Sequence, residues 1–281
     1  MSFWKTTALV LGVGVVAAVA AGGIGAGMAT ALVTQFTDEG PPGPSDVPDR
    51  ETREITSAVL GETRHVTVFL PDFYARDTET NYPVWVVLDG ARRGSESASA
   101  ARTFQRAGLA PGHLVVSIDN VPRGRTQDFL PPDLPEPVDG TTGGADAFLQ
   151  FIETELLPEV DSLYRTTDVR LLSGHSFGGV FAAYALTERP DLFDGVFAFS
   201  PSLWATRGAL VDQLERQLAD GPSAVFYANL GDEQGPVRDH VGRLAELTDG
   251  TSWQVDLVPG ASHGATPRLG TPAALQTFYS R

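Results

Sequence analysis

From Thr63 to Leu70 (TRHVTVFL) polar and apolar side chains alternate, the period of a strand with one buried face. Pro83–Leu88 (PVWVVL), Leu114–Ile118 (LVVSI) and Val169–Leu172 are short, almost wholly apolar runs, as expected of strands covered on both sides. Between and after them the period changes. In Gly144–Tyr164, Phe148, Phe151, Ile152, Leu156 and Val160 fall on one side of a helix. The same reading predicts helices at Phe177–Glu188, Ala209–Leu218, Val237–Leu247 and Thr271–Tyr279. It predicts strands at Gly195–Phe199, Ala224–Leu230 and Trp253–Val258. Strands separated by helices of this length predict an α/β fold, with a mostly parallel central sheet and helices on both faces. The closely spaced early strands predict an antiparallel start. No internal repeat is present, and residues 51–281 read as one domain.

The N-terminus follows another pattern. Thr6 to Thr37 holds no charged residue and follows the single cation Lys5. The apolar stretch Ala8–Val33 exceeds the core of a signal peptide and is long enough to span a bilayer. Residues 1–36 are therefore expected to be a hydrophobic helix acting as an uncleaved membrane anchor, with a cleaved signal peptide as the alternative. Lys5 on the short side predicts an exported body. In the second case the product is secreted or periplasmic. Residues 37–50, with Pro41, Pro42, Pro44 and Pro48, read as a linker.

Composition narrows the chemistry. The 281 residues carry 20 Lys plus Arg against 35 Asp plus Glu, a formal net charge of −15. With no basic cluster, that field argues against a nucleic-acid partner. The chain has no cysteine. Disulfides, thiolate metal sites and a thiol nucleophile are excluded. The five histidines have no metal-ligand spacing, so neither metal nor cofactor is expected.

Between a buried strand and an apolar helix stands Gly174-His175-Ser176-Phe177-Gly178, a G-x-S-x-G, followed by Gly179. A sharp strand-to-helix turn exposes the serine hydroxyl, and flanking glycines relieve the crowding of the turn. Ser176 is the candidate nucleophile. It needs a base. His263, in PGASHGATP between the last strand and the last helix, stands where the base falls when the order is serine, acid, histidine. His65 and His240 read as surface residues, His113 as solvent-facing or capping, and His175 as packing under the turn. The acid is expected after Ala224–Leu230, in Gly231-Asp232-Glu233-Gln234-Gly235. Glu233 is favoured, with Asp232 as the alternative and Asp239 behind it. An oxyanion hole needs two fixed N–H groups. Phe177 supplies one, and Ala91, in Asp89-Gly90-Ala91-Arg92-Arg93-Gly94, is the candidate for the other.

Together YPVWVVLDG (82–90), VVSIDNVPRGRTQDFLPP (115–132), GGADAFLQFIETELLPEVDSLYRT (143–166), SGHSFGGVFAAYALTERPDLFDGVFAFSPSLW (173–204) and GASHG (260–264) resemble a known family. It is the putative-esterase family of the α/β-hydrolase fold. The enterochelin (siderophore) esterase-like hydrolases are most similar; S-formylglutathione hydrolase and the mycolyltransferases are more distant. The resemblance runs from about Thr63 to the C-terminus and implies a serine carboxylic-ester hydrolase working through an acyl-enzyme on a small-molecule ester. In that family Ser176 and His263 match the nucleophile and base, and Ala91 a position supplying an oxyanion N–H. Ala261 stands where many relatives carry an acidic residue, which leaves the acid to Glu233 or Asp232. Arg92, Arg93, Arg123 and Arg125 flank the expected mouth. Acyl transfer, or a catalytically silent membrane-anchored binding module, are the competing functions.

Overall fold

The computed structural model describes residues 9–11, 14–16, 48–121, 124–132, 134–221 and 223–280. The chain divides into two units, 1–45 and 46–281. In the first, Leu9–Leu11 and Gly14–Val16 are short strands paired antiparallel, where an anchor helix was expected. The rest of the expected anchor lies outside the described residues, as does the linker up to residue 47. Among the described residues no helix is long and apolar enough to cross a membrane.

The second unit is built on one eight-stranded sheet. Its strands are β1 (Arg50–Ser57), β2 (Glu62–Phe69), β3 (Tyr82–Val87), β4 (Leu114–Ile118), β5 (Thr166–His175), β6 (Gly195–Phe199), β7 (Val225–Leu230) and β8 (Gln254–Leu257). Their spatial order is β1-β2-β4-β3-β5-β6-β7-β8. The pairs β1–β2 and β2–β4 are antiparallel, and every later pair is parallel. This is the antiparallel start predicted from the early strands. β1 itself lies in the stretch given to the linker and the residues after it. Its burial pattern shows why: only Ile55 and Ser57 are buried, so it carries little apolar signal.

The helices are α1 (Gly90–Arg106), α2 (Arg125–Phe129), α3 (Ala145–Phe151), α4 (Leu157–Leu163), α5 (Phe177–Glu188), α6 (Ala209–Ala219), α7 (Pro236–Thr248) and α8 (Thr266–Tyr279). The helix expected over 144–164 is continuous but contains a π segment, Ile152–Leu156, between α3 and α4. Pro158, in the first turn of α4, has no N–H to donate and crowds the preceding turn, a common cause of such widening.

Each face of the sheet has its own apolar layer. Trp85, Val87, Val115, Leu171, Phe197, Phe199 and Tyr227 pack under Ala98 and Ala101 of α1 and Ala274 and Leu275 of α8. On the opposite face Val84, Val86, Val116, Leu172, Val196 and Phe226 meet α3, α5, α6 and α7. α5 is buried almost all round, as its near-continuous apolar sequence requires. Two-sided burial explains why β3, β4, β6 and β7 read as apolar runs. His113 joins the first of these layers, against the expectation of a solvent-facing residue. It packs between the rings of Trp85 and Tyr279 and shares a 2.5 Å hydrogen bond with the Tyr279 hydroxyl. Burial pushes its pKa down to about 4, so it is a neutral core residue.

Candidate active site

β5 ends at His175 and α5 begins at Phe177, so a single residue makes the turn between them. That residue, Ser176, has φ 60° and ψ −117°. A non-glycine residue held there stores roughly 1–3 kcal/mol, and the packed strand and helix on either side impose it. The turn is tight enough that a Cβ on Gly174 would lie 2.0 Å from the Gly178 carbonyl oxygen. Gly178 itself has ordinary room, with its nearest neighbour at 3.5 Å, so the crowding argument holds for Gly174 and not for both flanking glycines. Phe177 opens α5, and its N–H is among the first-turn donors that have no partner within the helix. The Ser176 hydroxyl lies 3.2 Å from that of Ser202, which is buried just beyond β6.

Three loops meet this turn. The loop after β7 carries Asp232 and Glu233, which diverge. Glu233 Oε1 is 2.8 Å from Nδ1 of His263. Burial pushes the Glu233 carboxyl up, but the Ser200 hydroxyl and the His263 imidazole outweigh it, leaving the carboxyl below its ordinary range. Asp232 is exposed and accepts the Gly260 N–H, tying this loop to the one that follows β8. Asp239 is exposed in the first turn of α7. His263 opens a single 3₁₀ turn before α8, and its ring stacks on that of His175, with centroids 4.5 Å apart. Glu233 and His263 are thus paired in the loops that follow the parallel strands, and His175 links the turn that carries Ser176 to His263.

The loop after β3 supplies the third side. Asp89 sits in the left-handed region (φ 57°) and is buried. Its carboxylate accepts from Arg125 Nε at 2.5 Å, Arg125 Nη2 at 2.9 Å and Asn120 Nδ2 at 2.6 Å. Burial alone would raise its pKa, but the Arg125 guanidinium holds it below the usual range. Arg125 also donates to the His175 carbonyl at 3.1 Å and lies over the Phe129 and Phe177 rings. One guanidinium therefore fastens the loop after β3 to the turn that carries Ser176. Arg125 was expected to flank the mouth; its charge is instead spent inside the wall. Arg93 reaches Glu96, His175 and the Gly264 carbonyl. Arg92 is exposed, and Arg123 lies outside the described residues.

Burial raises the Asp119 carboxyl overall, while His65 and the N–H of Ala91, the residue named for the oxyanion hole, lower it in part. Phe177 packs against the partly exposed Trp204, with ring centroids 5.9 Å apart.

Sequence reading missed Ser202, the Asp89–Arg125 clamp and a buried pair behind it. Arg64 of β2 meets Asp128 of α2 through two bonds of 2.7 and 2.9 Å, both side chains being almost wholly buried. This pair pins α2, and α2 carries Arg125. A charged residue inside an alternating strand, such as Arg64, was the available signal.

An eight-stranded, mostly parallel sheet with a strained serine between a strand and a buried helix defines a protein of the α/β-hydrolase fold. The family model described as "Putative esterase" matches residues 57–266, and the chain belongs to that family. A siderophore triacetylfusarinine C esterase of Aspergillus fumigatus is 35% identical over 132 residues, 43% of this chain and 44% of that protein. The ferri-bacillibactin esterase BesA of Bacillus subtilis is 29% identical over 187 residues, 60% of this chain and 64% of the relative. The matches therefore span about half to two thirds of those relatives' length. Among solved structures, an IroE-like serine hydrolase from Shewanella oneidensis superposes with a TM-score of 0.72 at 27% identity, covering 83% of this chain and 80% of that one.

Proposed function

We propose that this protein hydrolyses carboxylic esters, through an acyl-enzyme formed on Ser176. The observation that carries the reading is the strained Ser176 beside a Glu233–His263 contact of 2.8 Å. In this mechanism Ser176 Oγ attacks the ester carbonyl and His263 takes its proton. Glu233 holds the imidazole in the tautomer with hydrogen on Nδ1 and stabilises the imidazolium. The Phe177 and Ala91 N–H groups receive the oxyanion. His263 returns the proton to the departing alcohol, and water then repeats the sequence to free the acid. Esters of the siderophore type are the favoured substrates, because the relatives named above are siderophore esterases.

The test is covalent. Purified 46–281 is expected to gain one phosphonyl group from a fluorophosphonate, mapped by mass spectrometry to Ser176, and to turn over a trilactone or a p-nitrophenyl ester. A folded protein that neither labels nor hydrolyses any ester defeats the reading.

We further place the domain outside the cytoplasm, exported by the apolar stretch within residues 1–36. Fusing residues 1–50 to alkaline phosphatase should give an active, exported reporter. A reporter that stays inactive inside the cell overturns that placement.

A further inference from the structure

His175, the residue before Ser176, has no role in the mechanism above, yet its ring touches both the backbone and the ring of His263. Three contacts fix it. Its Nε2 lies 2.8 Å from the backbone carbonyl of His263. A carbonyl only accepts, so Nε2 carries the hydrogen. Its Nδ1 faces Arg93 Nη2 at 3.4 Å, and a guanidinium only donates, so Nδ1 carries the lone pair. The two neighbours therefore leave one tautomer of the neutral ring. The third contact is the face of the His263 ring, at 4.5 Å between centroids.

Packing alone does not hold this ring. A small cavity of about 80 Å³ lies beside it, between α1 and α8, lined by Arg93, Glu96, Gly174, His175, Pro267 and Arg268. With space beside the imidazole, its two hydrogen bonds set its position. The bond to His263 is also the one that carries consequence. His263 sits in a three-residue 3₁₀ turn and is itself two-fifths exposed; its carbonyl also accepts the Thr266 hydroxyl at 3.0 Å and Arg93 reaches the Gly264 carbonyl, but of these donors His175 is the one whose ring also stacks on His263. The charged groups that bear on His175 are Arg93 from α1, Asp89 with its partner Arg125, and His263; Glu96 reaches it only through Arg93. Burial drives the His175 pKa down to about 4 against the raising effect of the bond to the His263 carbonyl, so the ring is uncharged across the neutral range. A cation stacked on the base would oppose the imidazolium that His263 must become; a neutral ring does not.

We infer that His175 is a positioning residue for the base: its Nε2–H anchors the His263 carbonyl and so holds the His263 imidazole against Glu233. The inference rests on the esterase reading for its kinetic consequence and on the geometry alone for its structural one.

Two variants separate the bond from the ring. His175→Phe keeps a ring and loses the donor. His175→Gln keeps a donor amide near the Nε2 position and loses the ring. His175→Phe is expected to lower kcat about tenfold or more with KM within about threefold, the scale of a misplaced catalytic group. The acid limb of its kcat/KM profile should move to lower pH, because a loosened Glu233 contact supports the imidazolium less. His175→Gln should keep the wild-type acid limb and most of kcat. Both should melt within a few degrees of wild type. A His175→Phe variant with unchanged kcat and acid limb overturns the inference, as does a His175→Gln variant that loses as much as Phe. If His175→Phe does not fold, the Gln variant decides alone: a displaced acid limb overturns the inference, and a retained one with near-normal kcat supports it.

A second readout needs no turnover. Imidazole ¹⁵N spectra of wild-type 46–281 should show His175 as the Nε2–H tautomer from pH 5.5 to 9, with the His263 resonances broadened in His175→Phe. An Nδ1–H tautomer, or a His175 that titrates near 6.5, overturns the inference. If the wild type neither labels nor hydrolyses, the esterase reading fails, and these spectra still judge the placement of His263.

Discussion

Replacing Ser176 with alanine is expected to abolish fluorophosphonate labelling and to lower ester turnover by about a hundred-thousand-fold or more. The fold should survive. An alanine meets the same φ of 60° as the serine it replaces, and among the described residues the lost hydroxyl has the Ser202 hydroxyl as its side-chain partner. Glu233→Gln should fall almost as far, by about ten-thousand-fold, since an amide in place of the carboxylate presents the wrong partner to His263 Nδ1. The double variant should be little worse than Ser176→Ala, because the groups act as a unit. Steady-state kinetics on one ester measures all three. A Ser176→Ala protein with more than a hundredth of wild-type turnover would exclude Ser176 as the nucleophile. An additive double variant would separate Glu233 from its action.

The Glu233 contact also has a pH signature. The Ser200 hydroxyl and the His263 imidazole outweigh burial and hold its carboxyl below the ordinary value of 4.5 in the folded chain. The unfolded chain therefore binds that proton more readily. The stability from this contact is present above about pH 4.5 and is lost as pH falls through the lower folded value. Above that range the carboxylate stays charged, so the acid limb of the rate profile belongs to the base and not to Glu233.

The largest loss of stability is expected at Arg64. Its guanidinium is almost wholly buried, paired with Asp128 through two bonds and packed over the Phe148 ring at 5.1 Å. Arg64→Met leaves the Asp128 carboxylate in the core without its partner. Breaking such a pair from one side costs about 3–5 kcal/mol, which for a domain of this size lowers the melting temperature by about 10 °C. Glu62, also 2.5 Å from Arg64, is two-fifths exposed and can turn to water, so it adds little. Removing both charges, Arg64→Met with Asp128→Leu, should recover much of the loss, because no buried charge remains. Urea denaturation of the three proteins checks this. A single variant within about 1 kcal/mol of wild type would show that water reaches Asp128. Activity should fall with stability here, since α2 holds Arg125, and Arg125 holds both Asp89 and the His175 carbonyl.

These effects divide by how visible their causes are along the chain. β3, β4, β6 and β7 were legible because burial on both faces forces continuous apolar runs. α5 and the turn before it were legible because the short G-x-S-x-G pattern and its neighbours act locally. β1 was not legible, since an edge strand buries only two of its residues. Glycines and polar residues hid α1, which presents only a narrow stripe to the sheet.

The sequence by itself determined the parallel α/β core and the residue at the strained turn. Both depend on side chains close together along the chain. The tertiary structure alone decided that Glu233, not its neighbour Asp232, turns to His263. It decided that Arg125 closes a clamp on Asp89 instead of facing the mouth. It also set His175 against His263 and Arg64 against Asp128. Those contacts join residues from 30 to 88 positions apart. At such separations no local period or spacing constrains a partner; the stacking order of the strands does.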